Sequence, residues 1–419
     1  HKNRILMHQK LAFFLLVCFF CFGANAQLWR SYESDTVSNP NSMLRLNGVL
    51  DYSASSIENS VLNPLVFGGF ISPEAKDQSL KNHRGFQVLG AEAQGDLFYF
   101  KKINGSSSFW NRYVPGIHAG YSQMASLAYT SDLYTLAFYG NEAFRGDYCD
   151  LTGTQLKWMG FQSFGFSLYD TKNKASLGLN LVGLTHYSAA DLNTNPGMRF
   201  YYTENGDSLY GICKASTSYI SGKSFYKGMG LSLDFDYEFK VQLSEDHVSP
   251  MKISLRNFGF VSANNITTQS LDTSFAFGGF TLTELIQREG VLAPGFSFTD
   301  SLTQSITENR LLFLPASIQL MSMYDPSRTT RLQPLLGLRM VFIPGYIPFV
   351  YAGVNSRLHQ NLNLALCGSY GGFSGFKMNA ALQFQKGAFA LGLGSDNLLG
   401  LFLKSAFGKA LSIQMRCVF

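Results

Sequence analysis

Charged residues are scarce in this chain, and long apolar runs are scarcer still. Asp, Glu, Lys and Arg make up only 15% of its 419 residues. Beyond residue 26 no stretch reaches the ~18 consecutive apolar residues of a membrane-spanning helix, which excludes that architecture. Cysteine is thin as well. Past residue 26 there remain Cys149, Cys213, Cys367 and Cys417, too scattered for a metal site or a disulfide framework. A Cys149–Cys213 bridge is open in an oxidising compartment, without support from its spacing. The net charge of +5 falls further when the basic leader is removed, so no basic excess points to nucleic acid.

Catalytic patterns are missing too. Beyond the leader, whose apolar run contains Cys18-Phe19-Phe20-Cys21, no C-x-x-C, H-E-x-x-H, calcium-loop or Walker pattern occurs, so no metal and no cofactor is expected. Gly372-Phe373-Ser374-Gly375 lacks the spacing of a nucleophile elbow. His118, His186 and His359 are the candidates for a barrel-wall hydrolase, but none has a Ser and an orienting acid in a recognisable pattern. No enzyme is expected.

What the chain has in quantity is aromatics, at 15%, and 40 Gly. Many Tyr, Phe and Gly with few Lys and Glu favour strands over helices. Residues 1–26 read as a signal peptide: Lys2, Arg4 and Lys10 precede the apolar run Leu11 to Phe22, and Ala24-Asn25-Ala26 is a cleavage site before Gln27. An exported, strand-rich chain without a spanning helix fits a barrel in lipid, because only helices and closed barrels satisfy every backbone group there.

The closing residues carry the pattern most sharply. Leu411, Ile413, Met415, Cys417 and Phe419 fall on one side, and Ser412, Gln414, Arg416 and Val418 on the other. In a closed barrel this strand pairs with the first one, its apolar side on lipid and its polar side inward. The same alternation runs through Gly228–Lys240, where Met229, Leu231, Leu233, Phe235, Tyr237 and Phe239 oppose Ser232, Asp234, Asp236, Glu238 and Lys240. It recurs from Leu89 to Phe100, in a hairpin around residues 170–174, at Asn205-Gly206, and in successive segments from Met251 onward. The expected fold is all-β, a transmembrane antiparallel barrel of about 14 strands with short turns at one end and long loops at the other.

Residues 27–419 form that barrel. Within it, 27–82 is the irregular part: a first strand near Met43–Tyr52, then a segment that is either an N-terminal plug in the mouth or a long surface loop. Ser262–Leu314 reads as a loop or lid, with a helical turn at Thr283–Arg288. Glu92, Asp96, Asp234, Asp236 and Glu238 are expected to face the lumen with basic partners such as Arg339, Lys240 and Arg416. Arg or Lys on the lipid face would cost about 2–4 kcal/mol at mid-membrane. Such charges form either a structural interior network or a solute-selective lining.

Three groups of residues carry a resemblance. Gly371-Gly372-Phe373-Ser374-Gly375-Phe376 with Leu391 to Leu401, the block Asn63-Pro64-Leu65 with Phe67 to Ile71, and Ser254 to Val261 resemble a Bacteroidota outer-membrane barrel family, a domain of unknown function. That family is distantly similar to the long-chain fatty-acid transporter barrels. In it, Asp is more usual at the position of Asn257. The terminal Phe419 likewise resembles the signal read by the outer-membrane barrel assembly machinery. The resemblance implies an outer-membrane location, with lipid and that machinery as partners, and no assigned activity. Two classes of function remain: passage of a small or hydrophobic solute, with a small hydrophobic ligand, or a non-transporting scaffold or assembly- and secretion-associated barrel.

Overall fold

The computed structural model describes residues 42–103, 108–192, 197–220, 224–244, 247–277, 304–325 and 330–419. One sheet contains β1 (Ser42–Ala54), β2 (Phe86–Lys101), β3 (Tyr113–Thr130), β4 (Tyr148–Asp150), β5 (Gln155–Asp170), β6 (Ala175–Asp191), β7 (Met198–Tyr202), β8 (Leu209–Ile220) and β9 (Gly228–Ser244). It continues through β10 (His247–Phe277), β11 (Gln304–Phe313), β12 (Ser317–Ser322), β13 (Leu332–Val341), β14 (Ile347–His359), β15 (Leu362–Gly372), β16 (Ser374–Lys386), β17 (Phe389–Ser395) and β18 (Gly408–Val418).

The sheet closes on itself. β1 pairs with β18 from Met43 opposite Val418 to Ser53 opposite Gly408, and with β2 on its other side. β8 and β9 occupy one position in the wall between β6 and β10, while β11 and β12 share another between β10 and β13. β4 and β7 form a short extension of β8 off the wall. The result is a transmembrane antiparallel barrel of fourteen strands.

Side-chain alternation decides which residues meet lipid. Along β6, Leu177, Leu179 and Leu181 are 58%, 54% and 58% exposed, whereas Asn180 and Val182 are buried. β18 repeats this, with Leu411 outward and Ser412, Gln414 and Arg416 buried on the lumen side. With successive strand residues pointing to opposite faces, a period of two is enough to clothe a barrel.

Both ends of the described chain lie at the short-turn end, where Ser42 and Phe419 exchange backbone hydrogen bonds. The other end carries the long connections. There α1 (Asn59–Phe67), α2 (Pro73–Lys81) and α3 (Ser131–Tyr139) pack with Tyr52, Leu89, Leu127 and Tyr129, which point away from the lumen. They form a collar on the outer rim of β1–β3. Ser72 caps α2 by accepting from the Ala75 N–H, with Pro73 at the first helical position. Asn59 fixes the collar to the β17–β18 connection: its amide donates to the Gly400, Leu403 and Gly408 carbonyls and accepts from the Gly408 N–H.

The described residues of Ser262–Leu314, a segment expected as a loop or lid, are almost all strand. β10 continues to Phe277, pairing with β8 on one side and with β11 on the other. This stretch is rich in Ser, Thr and Gln, so neither face carries an apolar row and the period-two signal vanishes. The expected turn at Thr283–Arg288 lies outside the described residues. Cys149 and Cys213, the candidate disulfide pair, are buried free thiols.

Candidate functional site: a barred lumen

Glu92 on β2 and Arg339 on β13 meet inside the barrel. Arg339 Nη2 donates to Glu92 Oε1 at 2.6 Å and Nη1 to Oε2 at 2.9 Å, with both side chains about 5% exposed. β2 and β13 stand seven strands apart in either direction around the wall, so the pair joins opposite sides. Strands about 4.8 Å apart and tilted ~40° would close a circular fourteen-strand barrel roughly 28 Å across. An extended Glu hydrogen-bonded to an extended Arg spans only about 15 Å between Cα atoms. The cross-section is therefore flattened, with β2 drawn toward β13, and an ion pair bars the lumen.

Two turns from the loop end reinforce the bar. Residues 342–346 fold inward until Gly345, in the left-handed region at φ 73°, sits against Val88 and Ala128 on the far wall. Gly371-Gly372-Phe373 does the same: the Phe373 ring lies over Gly90, where an added Cβ would be 2.2 Å from it. Tyr346 and Phe373 meet edge to face at 5.1 Å, and with Met124, Val341 and Ile343 they form an apolar layer directly loop-ward of the bar. Among the described residues the lumen is thus obstructed by turns from the second half of the chain. The described part of the expected plug, residues 42–82, is wall strand and outer collar; residues 27–41 lie outside the described residues.

The acidic row finds its partners on neighbouring strands. Asp236 accepts from Arg256 Nη2 at 2.6 Å and from Ser254 Oγ, with Lys252 Nζ at 3.6 Å. Asp234 accepts from the Asn180 amide at 2.9 Å and from the backbone N–H of Asn257 at 2.8 Å. Asp96 bonds His118 Nε2 at 3.1 Å, and His118 Nδ1 faces Asn180 Oδ1. Glu238 is 3.9 Å from Lys174 at the short-turn end, and Arg416 is buried opposite Arg45 in the β1–β18 ladder. Of the basic partners expected from sequence, Arg339 pairs with Glu92, while Asp236 takes Arg256 and Lys252 in place of Lys240 or Arg416. Adjacent antiparallel strands put Ser254 directly opposite Asp236 and Lys252 opposite Glu238, and that register selects the partners.

Asn257 marks a bulge: the β9–β10 register shifts between Leu255 and Phe258, and Asn257 has φ 55°. Asn tolerates this left-handed conformation better than most residues. The bulge aims its N–H at Asp234 and turns Arg256 onto Asp236.

The three histidines do not converge. His118 belongs to the lumen network, His186 stacks on Trp158 at 4.2 Å on the outer face, and His359 is exposed at a turn. Among the described residues no group of three potential metal ligands occurs.

No family model and no curated protein matches the chain. Among solved structures it is similar to the P. putida toluene transporter TodX, at 11% identity and TM-score 0.39, covering 92% of this chain and 91% of that one. A Pseudomonas aeruginosa FadL homologue is similar at 11% identity and TM-score 0.37, covering 94% and 96%. The translocator domain of the autotransporter NalP from Neisseria meningitidis follows at 7% identity and TM-score 0.32, covering 94% of each chain.

Proposed function

We propose that this chain is an outer-membrane barrel through which a small hydrophobic solute passes, described here with its lumen shut. The observation that supports this reading is the lining on either side of the bar. Successive lumen-facing positions on β13 are Leu335, Gly337, Arg339 and Val341. Leu335 packs with Met321, Phe349 and Tyr351 on the turn-ward side, and Val341 packs with Met124 and Phe373 on the loop-ward side. An aqueous pore has a polar interior. Here an apolar solute would leave one apolar layer for the next once the ion pair parts.

In this reading Glu92 and Arg339 form the gate. Asp96, Asp234, Asp236, Glu238 and Arg416 hold the interior framework around it, and the row from Leu411 to Phe419 is the signal for barrel assembly. The test is uptake of a radiolabelled long-chain fatty acid into liposomes, comparing the native barrel with Glu92→Leu/Arg339→Met. Entry that rises in the double variant supports the reading; no entry through either barrel overturns it. A second reading, a non-transporting scaffold for partner proteins, is favoured by the exposed Leu65, Val66, Phe67 and Phe70 at the end of α1. It predicts co-purification of an envelope protein that Phe67→Ser/Phe70→Ser abolishes.

A further inference from the structure

Drawing β2 inward leaves a trough on the opposite, membrane-facing surface. It has a volume of about 600 Å³, within the ~300–1,000 Å³ of ligand pockets. Its floor is the row Gly48, Gly95, Tyr121, Gln162 and Gly183, paired in turn across β1, β2, β3, β5 and β6, in which three of the five outward positions carry no side chain. An added Cβ at Gly95 would meet nothing within 4 Å, so open space lies directly above the floor. Leu46, Leu97, Phe164 and Ile413 form the sides. The β2–β3 and β3–β5 ladders run unbroken beneath it, so the trough is a dent in the wall and not a hole.

One rim is polar. Just ahead of β9, Tyr226 lies over Gly183 on the outer side, its hydroxyl donating to Gln162 Oε1 at 2.8 Å. Gln162 points outward between the apolar Phe164 and the outward-facing Gly160, and its amide nitrogen donates to no group among the described residues. A carboxamide at a hydrocarbon-facing position is costly without a partner.

We propose that the trough seats one acyl chain of a membrane phospholipid, whose ester carbonyl accepts from the Gln162 amide. The surface that contains the trough is the one that already meets lipid, so a chain enters sideways without crossing water. An unfilled trough would leave its walls without partner atoms. The ester supplies the acceptor that a plain hydrocarbon lacks. This inference goes beyond solute passage and stands without it.

The test is native mass spectrometry of the whole barrel after reconstitution with palmitoyl-oleoyl phosphatidylethanolamine and detergent delipidation. The native barrel is expected to retain one lipid. Gly95→Phe, which fills the open space above the floor, should lower retention at least tenfold, and Gln162→Leu should lower it severalfold. Leu382→Phe, on the lipid face away from the trough, should leave it unchanged. Heat-modifiable gel mobility establishes that each variant is folded, and Gly95→Leu replaces Gly95→Phe if the latter is not. No retained lipid in the native barrel overturns the proposal, as does undiminished retention in a folded Gly95 variant. Hexadecane retained by the native barrel as well as the phospholipid is, or phospholipid retention unchanged by Gln162→Leu, would overturn the assignment to an ester-bearing lipid.

Discussion

Cutting the bar one residue at a time should be far worse than cutting both ends together. In Arg339→Met, Glu92 keeps a buried charge without its bidentate partner, and removing one member of a buried pair costs about 3–5 kcal/mol. Glu92→Leu strands Arg339 in the same way. The double variant Glu92→Leu/Arg339→Met removes both desolvated charges and puts apolar side chains beside Val341 and Phe349, so it should recover most of that loss. The native pair is itself imperfect, since Arg339 Nε is buried without a hydrogen-bond partner. Urea unfolding followed by gel mobility reads the stabilities. Shape is read separately, by spin labels in a cysteine-free background at Ala93 and Leu338, the outward neighbours of the pair on β2 and β13. Their separation should lengthen toward the circular diameter of roughly 28 Å when the pair is removed. A double variant as unstable as the worse single one, with the label distance unchanged, would refute the idea that this pair flattens the barrel.

Other perturbations follow from the same geometry. Gly90→Ala places a methyl group where the Phe373 ring lies, so the ring must leave the lumen, at about 1–3 kcal/mol, and ion conductance of the reconstituted barrel should rise; unchanged conductance counts against an inward turn as obstruction. Asn59→Ala leaves three carbonyls and one N–H at the β17–β18 connection without their partner, a loss of about 1–3 kcal/mol, visible as faster hydrogen exchange over residues 397–408. In the collar, burial holds His83 below its ordinary 6.5, against the opposing pull of the Ser79 carbonyl. The unfolded segment therefore takes up the proton first, and the collar is at full stability above about 6.5 and loses stability as pH falls below it. Protease cleavage at Gly68-Gly69 should be faster at low pH, and His83→Gln should remove that dependence.

The wall was legible from sequence because its rule is local. Where one face meets lipid and the other a polar interior, each residue declares its side through its neighbours two positions away, as in Gly228–Lys240 and Leu411–Phe419. The rule fails where that contrast disappears. Residues 262–277 read as a loop because Ser and Thr occupy both faces, and the sharing of one wall position by β8 and β9 left no mark in the pattern. The lumen was legible only as a list of inward charges. Which acid meets which base depends on register in the case of Asp236 and on the flattening of the whole barrel in the case of Glu92. Glycines were the weakest signal: Gly90 and Gly95 stand in the same strand with nothing in the sequence to tell them apart, yet one makes room for a ring inside and the other lies beneath a trough outside.

The seam between β1 and β18 also sets an order in time. Its two strands are the most distant in the described chain, so the ring shuts only after every intervening hairpin is in place. Until then both bear a free row of amides and carbonyls, and each is open to pairing with the wrong neighbour. Losing β18 would therefore leave two raw borders in lipid in place of a slightly narrower cylinder, and closure should be the slow, long-range step of folding.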